Sequence, residues 1–416
     1  MVKYNQRERS YSHDCIETKK YVLCFGVILM IRTYKVEIDP TPEQKRLINQ
    51  TIGVCRFIYN FYLEKNLEHY EETGKFLSAN EFSKWLNNDF IPNNPEYNWI
   101  KEVSSKSVKE SIRNGERAFK NFFKGLTDFP KFKQKHRSDV KMYFVKNNPT
   151  DCTVERHRMK IPTLKWVRLK EKGYIPTTKD GFVVSSGTVS TYAGRYYVTC
   201  VVKLPDPNPW ELNNFGIGID LGIAQFATIS TGAIYQNINY SDKVKKLEKR
   251  LKREQRKLSR KQLAYKKQKK GEATRKNLDK QLLKVQKLYK RLRNIRTDYI
   301  NKVINELVRT KPAYIALEDL NVSGMLKNRH LARAIASQRF YEFRAKLEAK
   351  CKVYGIELRL VDRFYPSSKT CHQCGQVNKD LKLSDRVYIC DCGYTNDRDH
   401  NASLNLRDTE QYEVLK

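Results

Sequence analysis

Ser367-Ser368-Lys369-Thr370-Cys371-His372-Gln373-Cys374-Gly375, then Val387-Tyr388-Ile389-Cys390-Asp391-Cys392-Gly393, then Asn396-Asp397-Arg398-Asp399-His400-Asn401-Ala402-Ser403 follow one another in the last third of the chain. Two close cysteine pairs, each closed by a glycine and fifteen residues apart, have the spacing that lets four thiolates converge on zinc. The alternative is four buried thiols acting as small hydrophobes, and the second knuckle is Cys-x-Cys where Cys-x-x-Cys is usual. The reading adopted is a zinc ribbon, with Cys371, Cys374, Cys390 and Cys392 around one structural Zn²⁺. Because four cysteines fill the tetrahedron, no open position remains for chemistry. Behind the ribbon, Asp399 stands at the start of a short helical segment that includes Ala402 to Leu406, where an acid by itself is a favourable partner of the helix dipole.

Two distant acids give Asp399 more weight. Phe215 to Asp220 is an apolar strand that ends in an acid, followed by a second strand from Ala224 to Ser230. Tyr314 to Glu318 is another apolar strand that ends in an acid. Each carboxylate singly reads as a turn or a cap. Together they are hard oxygen ligands of the kind that hold Mg²⁺, and a pair of such ions can stabilise both oxygens of a phosphodiester under cleavage. Asp397 is a rival for the third position.

The order Gly218-Ile219-Asp220-Leu221-Gly222, Ala316-Leu317-Glu318-Asp319-Leu320-Asn321, cysteine ribbon, Asp397-Arg398-Asp399-His400-Asn401-Ala402-Ser403 resembles the RuvC-like nuclease of the TnpB (OrfB) family of transposon-encoded proteins, relatives of the type V CRISPR effectors. The likeness runs from about residue 30 to about residue 406, with the short second knuckle as its departure. It implies an RNA-guided DNA endonuclease that cleaves beside a short flanking motif by two-metal hydrolysis. Asp220, Glu318 and Asp399 would be the catalytic acids around two Mg²⁺, with Mn²⁺ able to substitute. The implied partners are a guide RNA and a double-stranded DNA target. The competing readings are a transposase and an accessory regulator of transposition that binds element DNA.

Charge points the same way. The 416 residues carry 80 Lys and Arg against 46 acids, a net +34, which calls for a polyanionic partner. Between Lys243 and Arg296 there are 24 Lys or Arg and 4 Asp or Glu. Val244, Leu247, Leu251 and Leu258, then Leu278, Leu282, Val285, Tyr289, Leu292 and Tyr299, form a roughly heptad stripe on each side of Lys266 to Gly271. The expectation is an antiparallel helical hairpin with Lys249, Arg253, Arg256 and Arg260 against a nucleic-acid backbone. Ten cysteines without disulfide-framework spacing fit a reducing compartment, cytoplasmic and nucleoid-associated, with no secretion. The strongest apolar run, Tyr21 to Ile31, is too short to span a bilayer, so no membrane partner is expected.

Along the chain, residues 1–29 read as an N-terminal extension without order, Met30 being the expected natural start. Ile31 to Ile38 alternates as a strand; Thr41 and Pro42 then open a helix that carries an apolar stripe from Leu47 to Tyr70. Arg56, Tyr59 and Asn60 could touch nucleic acid but read more simply as core and core edge. Further helices are expected at Ala79 to Leu86 and Ser105 to Phe123, and strands near 140–145, 158–161, 166–169, 182–186 and 196–204. The fold expected is mixed: an α/β RNase H-like RuvC nuclease with an inserted ribbon, and an antiparallel β-barrel with an inserted helical lobe. As domains the resemblance implies the wedge barrel (30–40 and 128–205), the recognition lobe (41–127) and the nuclease (215–365 and 396–407, with the hairpin at 243–298), beside a linker (206–214), the ribbon (366–395) and a tail (408–416). A helix from about Ala334 to Lys352 and a strand from Ile356 to Val361 complete the nuclease. The oligomeric state is left open.

Overall fold

The computed structural model describes residues 23–24, 27–135, 138–205, 210–267, 274–382 and 384–415, and the chain divides into two compact units, Met1–Asp206 and Pro207–Lys416. Most of the expected N-terminal extension, residues 206–209 of the expected linker and residues 268–273 at the expected hairpin turn lie outside the described residues.

In the first unit β1 (Leu23–Cys24) pairs with β2 (Val27–Asp39), so strand structure begins inside the stretch expected to be an unordered extension. Strand β7 pairs with the following part of β2, with Pro205 opposite Leu29 and Leu204 opposite Met30. Pro40-Thr41-Pro42 then turns the chain into α1 (Pro42–Thr73). Thr41 Oγ1 accepts from Gln44 N at 3.3 Å and Gln44 Oε1 accepts from Thr41 N at 3.0 Å, a reciprocal cap on two backbone donors that the helix leaves over. Next come α2 (Ala79–Trp85), the single turn α3 (Ile91–Asn93) and α4 (Ser105–Phe123). They pack an aromatic core around Tyr62, Phe82 and Phe119. Tyr59 is buried in that core and Asn60 clasps the backbone of Lys133 with both amide atoms, so both serve structure.

Strands β3 (Met142–Val145), β4 (Arg158–Ile161), β5 (Lys165–Leu169), β6 (Val183–Tyr192) and β7 (Arg195–Pro205) join β1 and β2 in one antiparallel sheet of seven among the described residues. Its order is β3-β6-β7-β2-β5-β4, with β1 beside β2. Strand β4 is three places from β7, about 14 Å in a flat sheet. Yet Cys200 Sγ on β7 lies 3.4 Å from Met159 Sδ on β4. The sheet is therefore curled round a shared core that also takes Met142, Phe144 and Val167.

The second unit is built on β8 (Gly216–Leu221), β9 (Gln225–Ile229), β10 (Ile234–Gln236), β11 (Tyr314–Glu318), β12 (Glu357–Val361) and β15 (Tyr412–Val414), with α5 (Asp242–Lys266), α6 (Arg275–Arg309), α7 (Val322–Met325), α8 (Ala332–Gln338), α9 (Phe340–Tyr354) and α10 (Arg398–Asp408). The small hairpin of β13 (Val387–Ile389) and β14 (Thr395–Asp397) carries the second cysteine knuckle. The sheet order is β10-β9-β8-β11-β12-β15, parallel for β8, β11 and β12 and antiparallel at both edges. Ile217, Ile219, Ile315 and Leu317 face the core built with α6 and α9, and the other sheet face receives α10.

Three expectations are corrected here. The segment expected as a plain tail, 408–416, contains β15, which adds a strand to the free edge of β12. The helix expected over 334–352 is two helices, broken at Arg339 with φ 61°. Its guanidinium donates to Thr297 Oγ1 at 2.8 Å and pairs with Glu342, ties that fix the break against α6. In the α5–α6 hairpin Leu288 is buried with Val285 and Leu292, while Tyr289 is largely exposed and bonds Gln255.

Candidate active site and cysteine cluster

A β-carbon at Gly218 would lie 1.9 Å from the carbonyl oxygen of Ser403 and 2.7 Å from the nitrogen of Arg407. Only glycine lets α10 lie this close on β8. From Gly218 to Asp220 the strand rises about 6.6 Å, and from Ser403 back to Asp399 the helix runs about 6 Å. Tyr314, at the start of β11, donates its hydroxyl to Arg407 O at 3.1 Å, so the helix runs antiparallel to the strands. Its first turn, with Asp399, is thereby set beside the C-terminal ends of β8 and β11. Register does the same for Glu318: Ile219 is opposite Leu317, so Asp220 and Glu318 are the next residues on adjacent parallel strands.

The electrostatics record this convergence. Burial, then the negative charges of Asp399 and Glu318, push the Asp220 carboxyl up from 3.8 to about 7, with Arg398 opposing. Burial and then Asp319 raise Glu318. Asp399 receives Arg398 through Nη2 at 3.0 Å and Nε at 3.2 Å, and Arg386 stands at 3.8 Å. Asp397 has another task. As N-cap of α10 it accepts from Asp399 N and His400 N, each at 3.0 Å, so Asp399 is the better candidate for the third acid. Crowded carboxylates of raised proton affinity are a donor set that a divalent cation fits, since it removes the mutual repulsion that the proton otherwise relieves.

The four cysteines form a tighter group. Their sulfurs all lie within 4.8 Å of one another, with Cys371 to Cys392 at 3.7 Å and Cys374 to Cys390 at 3.6 Å. A tetrahedron with arms of about 2.3 Å has edges of about 3.8 Å, so the thiols fit a metal and are too far apart for a disulfide. The glycines matter: Gly375 (φ 75°) donates to Cys371 O and Gly393 (φ 89°) to Cys390 O, each at 2.9 Å, closing the long and the short knuckle alike. His372 turns away, its Nδ1 at 3.3 Å from Asn405 Oδ1. Buried Asn401 and Asn405 donate to Thr370 O at 2.8 and 2.7 Å, fastening the base of the cysteine segment to α10. The three acids are not in such a cluster among the described residues.

Lys249, Arg253, Arg256 and Arg260 recur at helical spacing on the exposed side of α5. Arg253 lies 3.8 Å from Glu254; Lys249, Arg256 and Arg260 make no ion pair among the described residues. Sequence reasoning passed over Asp319, which holds both Arg344 and Arg363 next to Glu318. Its position after a strand-ending acid was the only signal, and its partners come from other elements.

Comparison with known proteins bears on most of the chain. The OrfB_IS605 family, "Probable transposase", matches residues 199–329; the "Cas12f1-like, TNB domain" matches 340–406 and a "Helix-turn-helix domain" of the OrfB family matches 30–75. The last segment here is β2 and the long α1. A "Putative RNA-guided DNA endonuclease" from Streptomyces pristinaespiralis is 32% identical, over 90% of this chain and 88% of its own. "Putative RNA-guided DNA endonuclease InsQ" from Escherichia coli (strain K12) is 29% identical, over 90% and 91%. Among solved structures, the Cas12f1 chain of a complex with sgRNA and target DNA shares the fold with TM-score 0.50 at 15% identity, over 92% of this chain and all of that one.

Proposed function

Because the chain belongs to the OrfB (TnpB) family of transposon-encoded proteins, we propose that it is an RNA-guided DNA endonuclease whose acids Asp220, Glu318 and Asp399 are the catalytic ligands. The observation that carries the assignment is that two strands and a helix bring these carboxylates to one end of the sheet, where the charges of Asp399 and Glu318 act on Asp220. Two Mg²⁺ or Mn²⁺ held there would stabilise the attacking and leaving oxygens of a phosphodiester. Asp220 and Asp399 are the principal holders, Glu318 completes the set, and Arg398 and Arg386 orient Asp399. The cysteines take one structural Zn²⁺. On this reading the six-stranded sheet with its helices is the RuvC-like nuclease, the curled sheet is the wedge, and α1 to α4 are the recognition lobe.

Sequence choice is delegated to RNA pairing, which suits a chain whose charge addresses backbones. The test is to incubate the protein with its co-expressed RNA, Mg²⁺ and a target library. Cuts at guide-matched sites beside a fixed short motif are expected. Joined ends would instead support a transposase, and footprints without cuts a binding protein. The hairpin is tested separately by changing Lys249, Arg253, Arg256 and Arg260 to Glu. If they contact four phosphates of a duplex, the slope of log affinity against log salt should fall by about three to four. An unchanged slope for RNA and DNA alike overturns this contact.

A further inference from the structure

Phe364 leaves 85% of its surface in water, the most exposed large hydrophobic side chain among the described residues. Two residues separate it from Val361, the register partner of Glu318, so at most about 10 Å of chain lies between it and the end of β12. The turn that presents it is fixed: Asp362 Oδ1 accepts from Phe364 N at 2.7 Å, Asp362 O accepts from Tyr365 N at 3.0 Å, and Pro366 follows. Beside it, Asp319 latches Arg363 and Arg344, both of which keep part of their surface in solvent. Asp319 itself follows Glu318, and its N–H donates to Val361 O at 3.0 Å.

Resting on the nuclease reading, we propose that Phe364, with Arg363 and Arg344, is a stacking platform that receives an unpaired nucleotide of the strand being cut. A phenyl face offers a base a partner without reading its edges, and guanidiniums whose planes are fixed by a carboxylate can meet a flanking phosphate. In a duplex the base faces are already stacked, so the platform selects a strand that has been opened. Phe364 is therefore a positioning residue. It makes no contact with the reacting phosphate, and its loss acts on substrate capture more than on chemistry.

The experiment uses the full chain with its guide RNA, Mg²⁺, and single-stranded oligonucleotides carrying the guided site. Phe364→Ala should raise KM about tenfold with kcat nearly unchanged, and Phe364→Trp should restore KM. In the Asp220→Ala background, 5-iododeoxyuridine placed next to the cut site should photocrosslink to the peptide containing Phe364. Wild-type KM in Phe364→Ala, or crosslinks only elsewhere, overturns the platform while leaving the nuclease reading intact. If Phe364→Ala loses its zinc or its circular dichroism, the crosslink in the otherwise native Asp220→Ala chain decides. A wild-type chain that cuts nothing overturns the nuclease reading and the platform with it.

Discussion

The second unit holds two groups of side chains proposed as metal ligands, and they are assembled in opposite ways. The cysteines come from two turns within one short stretch, and glycines at φ 75° and 89° bring their sulfurs to tetrahedral spacing. The acids come from β8, β11 and α10, and they reach one end of the sheet only through the strand register and the packing of α10 on Gly218. The first group is a property of local chain geometry, the second of the whole sheet. A site of the first kind should survive damage to the sheet, and a site of the second kind should not.

The strongest way to sharpen that contrast is to remove one acid at a time. Asp220→Ala, Glu318→Ala and Asp399→Ala should each lower guided cleavage by about a thousandfold or more, with RNA and DNA affinity and zinc content unchanged. Asp397→Ala should cost only the helix cap, about 1 kcal/mol. If Asp397→Ala is dead and Asp399→Ala active, the third acid has been misassigned. Next in size is Gly218→Ala, whose new methyl meets the backbone of α10. About 3 kcal/mol of stability in denaturant melts should be lost, together with most cleavage. Zinc, measured by metal analysis, should stay at one per chain; its loss would show that the cysteine group depends on the sheet after all.

The reverse experiment is Cys371→Ser with Cys374→Ser, which should abolish zinc binding. Cleavage should fall about tenfold and no further, because Asn401 and Asn405 tie the cysteine segment to α10 while Gly218 still seats the helix. The smallest effect is on pH. The folded value of Asp220, about 7, lies above its ordinary 3.8, so the metal-free fold prefers the neutral form. The contribution is intact below about pH 4 and is lost as pH rises through about 7. Asp220→Asn should flatten that loss in thermal melts, and Mg²⁺ should stabilise the wild type more at about pH 8 than at about pH 5.

What could be read from the sequence follows the same division. The thiol spacing, the Thr41-Pro42 helix start and the apolar strands ending in Asp220 and Glu318 are local patterns, and each appears in place. The features missed depend on partners distant in sequence. Arg339 breaks a regular helical pattern because α6 and Glu342 hold its side chain. The segment Tyr412 to Val414 is too short to declare itself a strand until β12 offers it a free edge. Leu288 takes the hairpin-core place between Val285 and Leu292 at three- and four-residue spacing, while Tyr289 bonds Gln255 on the facing helix. Gly218 was quoted inside a motif, but its reason, the backbone of α10, lies 185 residues on at Ser403.

The placement of the third acid on α10 also has a consequence in time. Ribosomes make the chain from its N-terminus, so Asp220 and Glu318 exist well before Asp399. On the proposed reading the basic hairpin, complete through that interval, can gather nucleic acid while the cleavage centre still lacks a member. A growing chain thus cannot yet cut DNA, and cutting power arrives only when α10 leaves the exit tunnel and settles on Gly218.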